Sequence, residues 1–184
     1  MLPKIIGLVG PIRAGKSTAA KILSEKYGYT IASNSAILSS ILQNLGMSSS
    51  RENLGMLGDS IFKVLGNDII AHYRMANLHL GGIIIDGIRY KEEIVTYSQE
   101  PSFKMIGVIA DEQSRFERAL ADRTTKDSNI ELQAFSELAK ARSELEVPSL
   151  LKRCDAIITN AGSIEDYEAS IDRVMSKWIS SSSY

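Results

Sequence analysis

Gly10-Pro11-Ile12-Arg13-Ala14-Gly15-Lys16-Ser17 is the stretch from which the rest of this chain is read. It satisfies the pattern G-x-x-x-x-G-K-[ST] at every fixed position. The apolar run Ile5-Ile6-Gly7-Leu8-Val9 precedes it, and residues 17–26, rich in Ala, Lys, Leu and Glu, follow as a helix-forming segment. Strand, glycine loop and helix in that order are the context of a phosphate-binding loop. The glycines let the backbone wrap around phosphate oxygens, successive N–H groups point inward, and the new helix adds the positive end of its dipole. On this reading Gly10, Ala14, Gly15, Lys16, Ser17 and Thr18 receive a nucleoside triphosphate. Lys16 reaches the β- and γ-phosphates and Ser17 ligates Mg²⁺. Arg13 occupies a loop position where a small residue is common, and it either faces phosphate or projects to solvent.

Working outward, apolar runs fitting strands recur at residues 5–9, 29–32, 83–85, 104–109 and 156–159. Segments of helical character separate most of them, which implies a parallel sheet covered on both faces. Residues 34–45 carry Ile37, Leu38, Ile41, Leu42 and Leu45 at helical spacing, so one face is expected to be buried. Two segments show no strand. Residues 47–80 read as helical, with Leu54, Leu57, Ile61, Leu65, Ile69, Ile70 and Tyr73 on one face and breaks at Gly46 and Gly66. Residues 111–151 are dense in charge of both signs. The last helix, 164–178, is expected to bury Ile164, Tyr167, Ile171, Val174 and Trp178.

The chain has 184 residues, 44% hydrophobic and 23% charged, which suits one domain with a sizeable core. We expect a single α/β domain, a three-layer P-loop NTPase fold with sheet order 2-3-1-4-5. Its core comprises residues 1–46, 81–110 and 152–179, with an acceptor-binding insertion at 47–80 and a lid at 111–151. No apolar run is long enough to span a membrane, and the N-terminal apolar stretch is the first strand, with no cleavage signature after it. Cys154 is the single cysteine, so internal disulfides are excluded and a cytoplasmic home is expected. A formal charge of −1 and a pI near 6.2 offer no electrostatic argument for a nucleic-acid partner.

Ile83-Ile84-Ile85-Asp86 is an apolar strand that delivers a carboxylate at its C-terminal end, where open parallel sheets bind ligands. Asp86 would hold a Mg²⁺-bound water or accept a proton from an attacking oxygen. Arg89, three residues on, offers a fork suited to phosphate. Ser33-Asn34-Ser35 caps the next helix or contacts an acceptor. The arginines of residues 111–151 read singly as a solvated helix face, with Glu117 and Asp122 as partners; together, Arg118, Arg123 and Arg142 lie where a closing lid brings cations to a phosphoryl group. His72 and His79 match no metal spacing.

These residues resemble the nucleoside-monophosphate-kinase-like group of P-loop enzymes, and within it the dephospho-coenzyme A kinases and their archaeal and phage relatives, related to adenylate kinase. Gly7 to Thr18 looks like that family's loop, Ile85-Asp86-Gly87-Ile88-Arg89 with Glu92-Glu93 like its Asp-Gly-Ile-Arg segment, and Cys154 to Ser163 like the strand and Asn-x-Gly-Ser turn beside the adenine. Arg51-Glu52-Asn53-Leu54 with Gly58-Asp59 is similar to part of the acceptor-side insertion. The resemblance implies that Asn160 and Gly162 flank the adenine, that Arg118 stacks on it, and that Arg123 and Arg142 are lid arginines. Arg118 and Arg123 are five apart where relatives often have four, which leaves open which faces the nucleotide.

The implied protein is an ATP- and Mg²⁺-dependent kinase with Lys16, Asp86, Arg89, Arg123 and Arg142 in catalysis. Its acceptor, a nucleoside or deoxynucleoside monophosphate, would be held by Ser33, Arg51, Asp86 and Arg89. A monomer or weak homodimer is expected. Two alternatives stand beside this reading: transfer to the ribose hydroxyl of dephospho-coenzyme A, and an ATP-binding switch with no small-molecule acceptor.

Overall fold

The computed structural model describes residues 2–78, 81–121, 135–136 and 142–180, with the backbone only for residues 51, 142 and 143. Five strands, β1 (Ile5–Val9), β2 (Thr30–Ser33), β3 (Ile83–Asp86), β4 (Lys104–Ile109) and β5 (Ala156–Thr159), form one parallel sheet in the order β2-β3-β1-β4-β5. The expected order is the observed one. The helices among the described residues are α1 (Lys16–Tyr27), α2 (Asn34–Asn44), α3 (Arg51–Leu65), α4 (Ile69–Ala76), α5 (Lys91–Tyr97), α6 (Glu112–Ala121), α7 (Arg142–Leu145), α8 (Val147–Leu151) and α9 (Ile164–Ser180).

All five residues of β1 are buried, because it is the central strand of a sheet covered on both sides. Strand periodicity sends Ile6 and Leu8 to one face, where they pack with Ala19, Leu23, Tyr167 and Ile171 of α1 and α9. Ile5 and Val9 go to the other face, against Ala71, Ile94, Tyr97, Val147 and Leu150 from α4, α5 and α8. Three layers follow from this alternation.

The registers bring the functional ends into line. Asp86 pairs with Leu8 on one side and with Ser33 on the other. Gly10 then leaves the sheet so close to β4 that a Cβ there would lie 2.1 Å from the Val108 carbonyl oxygen.

Two expectations need correction, and a third segment gains detail. The second strand starts one residue later than its apolar run, and Tyr29 instead donates its hydroxyl to the Pro3 carbonyl at 2.6 Å. Along the helical stripe of residues 47–80, Ile70 is buried and Leu54, Leu57 and Ile61 are half-buried, while Leu65 and Tyr73 are each 59% exposed. The exposure follows from position: α3 lies along α2 at the sheet margin, where Gly58 approaches Leu38 and Phe62 meets Tyr90, and not over the sheet itself. Leu45 and Ile164 are also exposed, since each sits at a helix end outside the packed stripe; burial along α9 begins at Tyr167.

Gly10→Ala places a methyl group against main chain that cannot rotate away. The variant is expected to lose about 2 kcal/mol of unfolding free energy, measured by urea denaturation, because overpacking against a fixed backbone forces a shift of strand or loop.

Candidate active site

A cleft of about 820 Å³ opens at the C-terminal ends of the strands. One side is formed by the loop and the start of α1, through Ile12, Arg13, Gly15, Lys16, Ser17 and Thr18; Asp86, Gly87 and Arg89 form its floor. This is the ligand position of open parallel sheets. Ser33, Asn34, Ser35 and Leu38 of α2 and its cap, with Phe62 of α3 and Tyr90, line the far end.

The loop is fixed largely through its carbonyl oxygens. Arg115 Nη1 donates to Ile12 O at 3.3 Å, and Arg118 Nη1 lies 3.4 Å from both Arg13 O and Ala14 O. Asn160 Nδ2 donates to Ala14 O at 2.9 Å and the Tyr167 hydroxyl to Gly15 O at 3.0 Å. Gly15 adopts φ 107°, and a Cβ on it would meet Asn160 Nδ2 at 2.2 Å, so glycine is required twice over. Arg13 also has positive φ, 61°, a left-handed conformation uncommon outside glycine.

Lys16 is 8% exposed and its ammonium donates to Gly10 O at 2.7 Å and Pro11 O at 2.8 Å. Burial, followed by the nearby Arg89 cation, lowers its pKa from the ordinary 10.5 to about 7, against the opposing charges of Glu144 and Asp86. Ser17 Oγ donates to Asp86 Oδ2 at 3.0 Å. Arg89 Nη1 forms a 2.7 Å ion pair with Glu144 Oε1 and donates to Gly10 O at 3.2 Å. The structure therefore brings together Lys16, Ser17, Asp86 and Arg89, four residues named from sequence.

The far end rests on a buried polar cluster. Glu93, 1% exposed, accepts the backbone N–H groups of Arg89 (2.9 Å) and Tyr90 (3.1 Å). Asn34 Nδ2 approaches Glu93 Oε1 at 3.4 Å, and Asn34 Oδ1 accepts from Arg74 Nη1 at 2.6 Å. Burial raises the Glu93 carboxyl above the usual range despite those bonds. Ser33 Oγ lies 2.7 Å from Ser35 Oγ, within the cleft.

Other expected site residues are placed differently. Arg118 lines the cleft but also donates to Asn160 O at 2.8 Å, so it braces the loop as well as facing the ligand space. Asn160 is buried behind the loop, and Gly162 lies outside the cleft in the turn capped by Ser163 and Asp166. Arg51 and Arg142 begin α3 and α7. Arg123 and His79 fall outside the described residues. Cys154 is half-buried with its Sγ toward Leu150 O, and burial pushes its thiol up to about 12, unsuited to nucleophilic work.

Sequence reasoning missed Arg115, Glu144, Tyr167, Glu93, Phe62 and Tyr90. Arg115 belongs to the arginines that read singly as a solvated helix face, Glu144 receives no role from the sequence, and no motif joins either to a loop a hundred or more residues earlier. For Tyr167 the helical stripe gave burial but not the hydroxyl's partner.

Glycine loop, strand-end acid and sheet order define the P-loop NTPase fold. The profile of a family described as AAA domain matches residues 6–142, and the chain belongs to that family. Among solved structures, shikimate kinase from Bacteroides thetaiotaomicron superposes with a TM-score of 0.65 at 13% identity, over 94% of this chain and 97% of that one. Shikimate kinase from Acinetobacter baumannii in complex with shikimate gives 0.61 at 18% identity, over 96% and 94%. A gluconokinase from Sinorhizobium meliloti 1021 gives 0.55 at 15% identity, over 100% and 99%. At these identities the likeness is one of fold. No curated protein sequence matches the chain. No helix among the described residues is long and apolar enough to cross a membrane.

Lys16 gives a pH signature. Between pH 7 and 10.5 the unfolded chain keeps a proton that the folded protein has lost, so this residue makes stability rise with pH across that window. In urea unfolding at pH 6 to 9, the stability of the native protein minus that of Lys16→Met should grow above pH 7, by at most about 1.4 kcal/mol per pH unit. A difference that does not change with pH would contradict the buried amine.

Proposed function

We propose that this chain is an ATP-dependent phosphotransferase whose acceptor is a small nucleotide, a nucleoside or deoxynucleoside monophosphate. The observation that carries the reading is the convergence of Lys16, Ser17, Asp86 and Arg89 at one end of a cleft whose other end is partly aromatic. Phe62 and Tyr90, at 5.7 Å in an edge-on pair, with Leu38 beside them, offer an apolar wall suited to a base, while Arg89 at the loop end suits the acceptor's phosphate.

Ser17 Oγ and Asp86 Oδ2, 3.0 Å apart, are the hard oxygen donors that Mg²⁺ prefers, so the residues fit the ion, with Asp86 acting through water. When bound with ATP, Mg²⁺ neutralises phosphate charge. The remaining tasks fall to the chain. Gly10–Thr18 and Arg118 hold the donor, Lys16 and Arg89 stabilise charge on the transferring group, and Ser33 and Arg51 position the acceptor. Arg123 adds a lid cation, and Asn160 supports the donor end from behind, through its bond to Ala14 O. Phosphoryl transfer needs positioning more than covalent help, which suits a site of cations and backbone donors.

The test is phosphate transfer from ATP·Mg²⁺ to a panel of nucleoside and deoxynucleoside monophosphates, dephospho-coenzyme A and small polyols. One nucleoside monophosphate should be strongly preferred, and Lys16→Ala should lower kcat at least about 100-fold with the fold intact by circular dichroism. Turnover unchanged in that variant would sink the assignment. Asp86→Asn separates acceptor classes. A phosphate acceptor, already ionised, needs no base, so the variant should keep a measurable rate that rises with added Mg²⁺; an irreparable loss with ATP affinity retained would favour a hydroxyl acceptor.

A further inference from the structure

We propose that Glu144 is the resident counter-anion of the phosphate-binding loop, and that the phosphates of an incoming nucleotide displace it. The inference rests on reading Gly10–Thr18 as a triphosphate site. Glu144 comes from α7, more than 120 residues downstream of the loop, and its side chain is 8% exposed. One carboxylate oxygen accepts the Ile12 N–H at 3.1 Å, and the other takes the Arg89 guanidinium at 2.7 Å. A loop amide and an arginine fork, with the Lys16 ammonium sharing Gly10 O with that same arginine, are the donors a phosphate seeks. The carboxylate therefore stands in for one.

Two anions cannot share these donors without strong repulsion. A nucleotide that engages Arg89 and the loop must therefore lose affinity to Glu144 or expel it. The local anatomy allows expulsion without unfolding the neighbourhood. Residue 146 is tied by its carboxylate to the Lys91 N–H at 3.0 Å, and Val147 and Leu150 of α8 are anchored in the core. On the downstream side the displacement thus stops at residue 146, about which Glu144 swings.

The test reads binding, not turnover. By isothermal titration, Glu144→Gln should bind ATP·Mg²⁺ and inorganic tripolyphosphate more tightly than the native protein, by about fivefold or more, because the neutral amide removes the competing charge. Equal or weaker binding by the variant overturns the proposal. On the native protein, hydrogen exchange should accelerate in the peptide spanning residues 142–145 when ATP·Mg²⁺ is added, while that of α8 stays constant. Unchanged or greater protection of residues 142–145 overturns it independently of any variant's folding. A native protein that binds ATP but transfers phosphate to no acceptor would remove the kinase reading and leave this one standing.

Discussion

A loop of main chain that offers its N–H groups to phosphate must dispose of its carbonyls elsewhere, and most of this molecule is arranged around that constraint. Buried carbonyls without partners are costly. Here those of residues 10 to 15 are met by cations, an amide and a phenol drawn from α1, α6, α9 and the turns after β3 and β5. The sheet order matters because it sets β3 and β4 on either side of β1, so that the turns beyond them reach the loop from opposite directions.

The same arrangement concentrates positive charge. Lys16, Arg89, Arg115 and Arg118 all donate to the loop's carbonyls, and Glu144 is the buried carboxylate set among them. A site so built is preorganised for an anion, since its cations are held by the protein before any ligand arrives and need little reorganisation. Burial first, and the neighbouring Arg89 cation second, lower the pKa of Lys16, so its proton is held less tightly than in water.

How much of this was legible beforehand varied with the range of the interaction. The loop and its flanking elements were plain, because glycine conformation, helix dipole and strand burial are local matters written in contiguous residues. Asp86 and Arg89 were legible because an apolar strand ending in an acid carries its own meaning once a parallel sheet is inferred. In residues 47–80 the stripe itself was legible but not its burial: Leu65 and Tyr73 fit a helical stripe yet are exposed, because periodicity says only which face is apolar and not whether anything covers it. Glu144 and Arg115 escaped because a charged residue in a charged segment looks solvated until the chain folds it onto a distant backbone. The Glu93 cluster was hidden for a similar reason, being assembled from three elements around a single carboxylate.

The Tyr167 hydroxyl on the Gly15 carbonyl has a consequence for how the protein folds. The groups that hold the loop include Arg118, Glu144, Asn160 and Tyr167, all more than a hundred residues further along the chain. Contacts of such long sequence separation must wait for the intervening chain to be ordered. The anion cradle is thus a property of the assembled domain and not of the loop's own neighbourhood, and its completion reports that the distant elements have docked.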